Sequence, residues 1–245
     1  MARAHALCSN NAVTGTLTPE SDLVRAATAP PLALDGIVKR WPGAPPVLEG
    51  VSLRLEPGQA VAICGRNGAG KTTLLRIAAG LFGPDQGSVR LDGLDPEHDR
   101  TEFQRRLGFL SAGNSGLYAR LKPEHHLELW SRLALVPKRR REAAIAGAVR
   151  AFELDPLCGK RVDRLSMGQR QRLRLALAFL HEPTVVLLDE PGTSLDDEGI
   201  AMIGAALERL KSRGGAAVVC LPSGWEAVPA VDAGFVLANG RLEPA

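Results

Sequence analysis

The 245-residue chain has 45% hydrophobic and 23% charged residues. That balance excludes a disordered polymer and suits one globular domain with a smaller lobe inserted. Its 30 basic and 27 acidic residues leave a formal charge of only +3, so whole-chain charge gives no case for nucleic acid, and none is expected as a partner. The apolar runs, such as Ala216 to Leu221 and Leu175 to Leu180, fall well short of the ~20 residues that cross a bilayer, so any membrane role needs a separate chain.

Residues 1–31 are rich in Ala, Thr, Ser, Asn and Pro with no sustained period and read as a flexible tail ahead of a domain over residues 32–245. Cys8, Cys64, Cys158 and Cys220 lie far apart with no C-x-x-C pair, and no charged-then-apolar signal opens the chain, which points to a reduced, cytoplasmic compartment. Cys64 and Cys220 sit inside apolar runs and are expected to be small buried hydrophobes. From Leu32, short β-type runs at Leu32 to Val38, Val51 to Leu55 and Ala60 to Cys64 alternate with Gly and Pro turns, which predicts a sheet-rich opening.

The third run leads into Gly65-Arg66-Asn67-Gly68-Ala69-Gly70-Lys71-Thr72, then Thr73 and a helix-like stretch to Ala79. This fits G-x-x-x-x-G-K-[ST] in its strand-then-helix context. The glycines permit a tight curl whose N–H groups converge on phosphate oxygens at a helix N-terminus. Lys71 is expected at the β- and γ-phosphates of ATP, and the Thr72 hydroxyl on Mg²⁺, a hard cation that takes oxygen ligands.

After a strand-like Leu107 to Leu110, helical periodicity takes over, with Ile145, Ala148, Val149 and Phe152 on one face and Arg139 to Arg141 preceding them. A helical subdomain of about residues 111–164 is therefore expected. Leu165-Ser166-Met167-Gly168-Gln169 follows, then a basic, apolar helix from Arg170 to Leu180 whose Arg170, Arg172 and Arg174 read as a solvated face. The apolar run Thr184 to Leu188 ends in Asp189-Glu190, two acids at the carboxyl edge of a buried parallel strand. Paired with the loop, Asp189 suits Mg²⁺ and Glu190 suits a general base that polarises water; with Lys71, Glu190 is the expected catalytic residue. A helix carrying Ile200, Ile203, Leu207 and Leu210 and strands at Ala216 to Leu221 and Gly234 to Leu237 complete an alternating pattern. The fold expected is α/β: a mostly parallel sheet core, an antiparallel β patch and the inserted helical subdomain.

Leu165 to Gln169 resembles the L-S-G-G-Q signature of ABC transporter ATP-binding subunits, with Met167 in place of one glycine, and it stands just before the helix leading to Asp189. The likeness spans about Leu32 to Leu242 and implies a P-loop NTPase of ABC type. It implies an ATPase at a dimer interface, coupled to substrate movement by a polytopic membrane subunit at the cytoplasmic face of the membrane. In that family the signature of one subunit closes over ATP held by a second, identical or different, ATP-binding domain, so Ser166 and Gly168 would donate to the partner's γ-phosphate. Ser166 would equally serve as a plain helix cap. Ser194-Leu195-Asp196 resembles the loop by which the two sites communicate, and also reads as a cap. Trp41, after Lys39-Arg40, matches the aromatic that stacks on adenine, or packs on the surface.

Two family positions are changed. The register of a Gln that touches Mg²⁺ and the attacking water gives Ala112, with Asn114 and Ser115 nearby. The histidine that contacts the γ-phosphate falls on Pro222 or Ser223, and proline has no donor. One lost donor at a developing charge costs about 10²- to 10³-fold in rate, so a weak ATPase or one half of a heterodimer is expected. Gly116 to Leu121 followed by a helix resembles exporter-type subunits. The arginine runs, if not solvated, would set the lobe against a membrane subunit near anionic headgroups. A rival is a soluble ABC-type ATPase acting on a nucleic-acid or ribosomal partner, but the tandem domains and long coiled-coil insertions of those proteins are absent. A P-loop kinase would leave the signature accidental.

Overall fold

The computed structural model describes residues 29–113, 116–222 and 228–245. Most of the expected tail, Cys8, Asn114, Ser115 and Ser223 lie outside them.

Two sheets share one molecule. In the first, β1 (Leu32–Lys39) pairs antiparallel with both β2 (Leu48–Leu55) and β4 (Gln86–Leu91). The second has six strands in the order β5 (Leu107–Leu110), β6 (Val185–Asp189), β7 (Ala216–Leu221), β3 (Ala60–Cys64), β8 (Ala233–Ala238) and β9 (Arg241–Pro244). All neighbours in it are parallel except β8 and β9.

Strand periodicity splits the parallel sheet between two cores. Val61, Ile63, Val185, Leu187, Val218 and Cys220 face one side, where they meet β1, β2, β4 and α1 (Lys71–Ala78). Ala60, Ala62, Val186, Leu188, Ala217 and Val219 face the other, where α5 (Met167–Phe179) and α6 (Asp197–Lys211) cover them. With both faces covered, β3, β6 and β7 are buried at every position. α2 (Arg100–Arg106) is a short polar helix that buries only Phe103.

The helical lobe holds α3 (Pro123–Leu133), α4 (Lys138–Ala151) and two short 3₁₀ turns at Asp155–Leu157 and Val162–Arg164. Arg139 to Arg141 belong to the first turns of α4 rather than preceding it. The solvated face expected for Arg170, Arg172 and Arg174 is corrected: Arg174 is buried and Arg172 mostly covered, because α5 is packed on the sheet side by β5 and on the lobe side by α4. Cys64 and Cys220 are buried, as their apolar runs suggest. No helix among the described residues is long and apolar enough to cross a membrane.

Candidate active site

Because β5, β6, β7 and β3 run parallel, their carboxyl ends lie on one edge of the sheet, and the chemistry-bearing residues gather there. Residues 65–70 leave β3, curl back, and enter α1 at Lys71. Backbone demands fix the glycines. Gly70 has φ +104° at the α1 N-cap, and a Cβ there would sit 2.9 Å from the Val47 side chain. At Gly65 a Cβ would come within 2.6 Å of the Leu237 carbonyl. Arg66, Asn67 and Gly68 are exposed, with their loop at the positive end of α1.

Lys71 is 5% exposed, and its Nζ donates to the carbonyls of Gly65 at 2.5 Å and Arg66 at 3.2 Å. The ammonium therefore sits inside the curl. Thr72 Oγ1 donates to Asp189 Oδ2 at 2.7 Å, joining the loop to the end of β6 across β7. Asp189 is 1% exposed, and its Oδ1 is buried without a hydrogen-bond partner among the described residues. An unpaired buried carboxylate oxygen beside a hydroxyl is the oxygen-only donor set that Mg²⁺ favours, so these residues fit that ion.

Glu190 is half-buried, and its backbone takes the left-handed value φ +50°, unusual for a non-glycine. The strand has ended there. Its N–H still donates to the Cys220 carbonyl at 2.9 Å, so the peptide stays pinned to β7. The Cys220 thiol lies under the Lys71 carbonyl at 4.0 Å, and burial, with Asp189 close by, pushes its pKa well up, so it remains a neutral packing group.

Ser166 caps α5 in a capping box: its Oγ accepts from Gln169 N at 3.2 Å, while Gln169 Oε1 accepts from Ser166 N at 3.0 Å. Leu165 is buried beneath the turn and Met167 is 50% exposed. A Cβ at Gly168 would lie 2.7 Å from the Ser194 carbonyl, so the glycine lets the turn touch the 194–196 loop. Asp196 caps α6 through Gly199 N at 2.9 Å, and this N–H and Arg172 hold its carboxyl below the usual range. Arg172 ion-pairs with Glu153 of the lobe and with Asp196, both at 3.2 Å. Residues 166–169, 194–196 and Arg172 line one open cavity of about 590 Å³.

Trp41 meets Phe82 edge-on at 5.7 Å between ring centroids, with Lys39 Nζ 5.3 Å from its ring, and is 40% exposed. The segment it opens ends at Val47, against Gly70. Ala112 lies two residues past β5 and carries no polar side chain, and Pro222 follows β7 directly; the alternatives Asn114, Ser115 and Ser223 lie outside the described residues. Sequence reasoning missed Gln171: its amide donates to the Pro191 carbonyl at 2.8 Å, next to Glu190, and only its place one turn into a capped helix hinted at that.

Residues 48–193 match the family described as ABC transporter. The chain is 37% identical to the ABC transporter ATP-binding protein NatA of Bacillus subtilis (strain 168), over 66% of this chain and 65% of that protein. It is 34% identical to the daunorubicin resistance ATP-binding protein DrrA3 of Streptomyces coeruleorubidus, over 86% of this chain and 68% of the relative. It thus spans about two thirds of the length of these two. A phosphonates import ATP-binding protein, PhnC of Rhodopseudomonas palustris (strain BisB5), is 31% identical over 86% of this chain and 82% of its own length. Among solved structures, an ATP-binding subunit of an ABC transporter superposes with a TM-score of 0.79 at 26% identity, covering 86% of this chain and 87% of that one. A dimeric bacterial ABC transporter cassette superposes with a TM-score of 0.76 at 25% identity, covering 86% and 96%.

Proposed function

Since the chain belongs to the ABC transporter family of ATP-binding domains, we propose that it binds and hydrolyses MgATP as the motor subunit of such a transporter. One observation carries this: Lys71 inside its glycine curl, Thr72 bonded to Asp189, and Glu190 one residue on, all at one sheet edge. The loop N–H groups and Lys71 hold the triphosphate. Thr72 and Asp189 hold Mg²⁺, which when bound neutralises charge on the phosphates. Glu190 accepts the proton of the attacking water. Trp41 supplies a face for adenine.

The site is completed in trans. The exposed signature turn and the 194–196 loop line one surface, which suits a second ATP-binding domain, and a solved relative is a dimer. A separate polytopic membrane subunit is the remaining partner, at the cytoplasmic face of the membrane. Export is the direction we infer, from the stretch Gly116 to Leu121 and the likeness to a resistance protein; the likeness to an import protein makes flux in vesicles the measurement that decides. Ala112 and Pro222 supply no side-chain donor, so turnover is slow or depends on a different partner domain. Purified protein should release phosphate slowly from MgATP, and Glu190→Gln should abolish release while leaving binding intact. Brisk turnover by the homodimer contradicts the slow-site proposal, and turnover that survives Glu190→Gln contradicts the catalytic assignment.

A further inference from the structure

At the seam between the helical lobe and the sheet, α5 carries a buried polar chain that the hydrolytic site does not by itself require. Arg174 is 7% exposed, and Gln171, one turn earlier, is 5% exposed. Arg174 donates through Nη2 to the Ser111 carbonyl at 2.5 Å and, more weakly, to Ser111 Oγ at 3.4 Å. Its Nη1 donates to Gln171 Oε1 at 2.8 Å, and Gln171 Nε2 donates in turn to the Pro191 carbonyl at 2.8 Å. Three bonds therefore run from Ser111 to Pro191 through two side chains of one helix.

Both ends are placed where they matter. Ser111 is the first residue after β5, where the chain leaves the sheet for the lobe. Pro191 follows Glu190, whose left-handed backbone lies outside any regular element. Glu190 N–H donates to the Cys220 carbonyl and the Glu190 carbonyl accepts from Thr193 N at 3.3 Å; the carbonyl one residue further on, that of Pro191, accepts from Gln171. The relay is also stiff. No carboxylate pairs with Arg174 among the described residues, and burial draws the pKa of the guanidinium down, so its charge relies on these oxygen acceptors. A buried cation that loses an acceptor is costly, which resists any shift of Ser111 relative to α5. Behind it the β5 backbone lies against the same helix: a Cβ at Gly108 would sit 2.2 Å from the Ala178 carbonyl.

We propose that Gln171 and Arg174 are positioning residues that couple the point where the lobe leaves the sheet to the placement of Glu190. The relay rests on the ATPase reading above. It gives the lobe a route to the site that does not depend on the side chain at Ala112, since the contact is to the Ser111 main chain. Movement of the lobe at Ser111 is passed through α5 to the Pro191 carbonyl, in the turn that follows Glu190.

The test is a double-mutant cycle on the full-length protein, reading kcat for ATP hydrolysis, MgATP affinity and the thermal midpoint. Arg174→Met and Gln171→Met should each lower kcat about tenfold, since small misplacements of a reacting group cost one to two orders of magnitude. MgATP affinity should stay within about threefold, because the phosphate loop is untouched, and the double variant should fall no further than the worse single one. Gln171→Glu keeps an acceptor for Arg174 but sets an oxygen against the Pro191 carbonyl, so kcat should drop while the midpoint holds. Arg174→Lys should restore part of the rate. Additive losses in kcat, or unchanged kcat in Gln171→Glu, would overturn the relay; if Arg174→Met fails to fold, Gln171→Glu decides alone. A wild-type protein with no turnover, alone or assembled with its partner ATP-binding domain and membrane subunit, sinks the hydrolysis reading and the relay with it, whereas an active wild type with unaffected variants sinks the relay only.

Discussion

Asp189→Asn should raise the stability of the nucleotide-free protein while removing its response to magnesium. The carboxylate is buried, with one oxygen paired to Thr72 and the other unpaired. An unsatisfied buried polar atom costs about 1–3 kcal/mol, more when charged. Asparagine keeps the shape and the Thr72 contact but carries no charge, so about 1 kcal/mol should be recovered, a rise of about 2–4 °C in midpoint for a chain of this length. MgATP should act oppositely. At a hundredfold excess over Kd, wild type gains about 2.7 kcal/mol by linkage, or about 5–11 °C. The variant should lose most of the part that magnesium adds over ATP with EDTA. Thermal scans of both proteins under the three conditions should therefore cross. A variant that melts below wild type without nucleotide, and keeps the full magnesium increment, would refute the reasoning.

Gly168→Ala should lower stability by about 1–3 kcal/mol, since its Cβ would strike the Ser194 carbonyl. Gly147→Ala, in α4 with nothing within 4 Å, should instead add about 0.5–1 kcal/mol; denaturant melts compare the two. Trp41→Ala should weaken MgATP binding by about 1–3 kcal/mol, with Trp41→Phe recovering much of it, if the ring stacks on adenine. Unchanged affinity would assign Trp41 to its packing on Phe82. The fourth prediction concerns pH. His126 is buried, its Nε2 accepts from Tyr118 N at 2.9 Å, and burial holds its pKa below the ordinary 6.5. His181 is lowered for the same reason. As pH falls through 6.5 the unfolded chain takes up these protons first. Stability should therefore drop by up to about 1.4 kcal/mol per pH unit for each histidine, and level off once the folded rings protonate. The lowered carboxyls of Asp85, Asp95 and Asp196 stabilise the fold above their unfolded value of 3.8 and lose that effect only in stronger acid. Urea melts between about pH 7 and about pH 5 should show the slope, and His126→Asn should flatten it.

The buried strands and the glycine curl over residues 65–70 were legible in the sequence because their causes are local. Ala60 to Cys64 and Ala216 to Leu221 are apolar throughout because both faces are covered, and each strand falls on those residues. The loop is contiguous, so its spacing is its geometry. β9 went unread because it is largely exposed, and β4 because only Val89 and Leu91 of its six residues are buried apolar positions, too few for a period. α2 escaped for a related reason, burying only Phe103. The Thr72 to Asp189 contact spans 117 residues and follows from the two motifs together. Gln171 and Arg174 illustrate the opposite case: one more arginine in a basic run looks solvated, and only the packing of β5 and the lobe on α5 buries it. Long polar side chains state their partners poorly in one dimension.

Titration calorimetry with Glu190→Gln protein, where heat reports binding and not turnover, tests the central claim most directly. One saturable MgATP site per chain is expected, weakened by EDTA and lost when Lys71→Met is added. No saturable heat, or heat unchanged by Lys71→Met, would contradict the assignment of residues 65–72 as the nucleotide site.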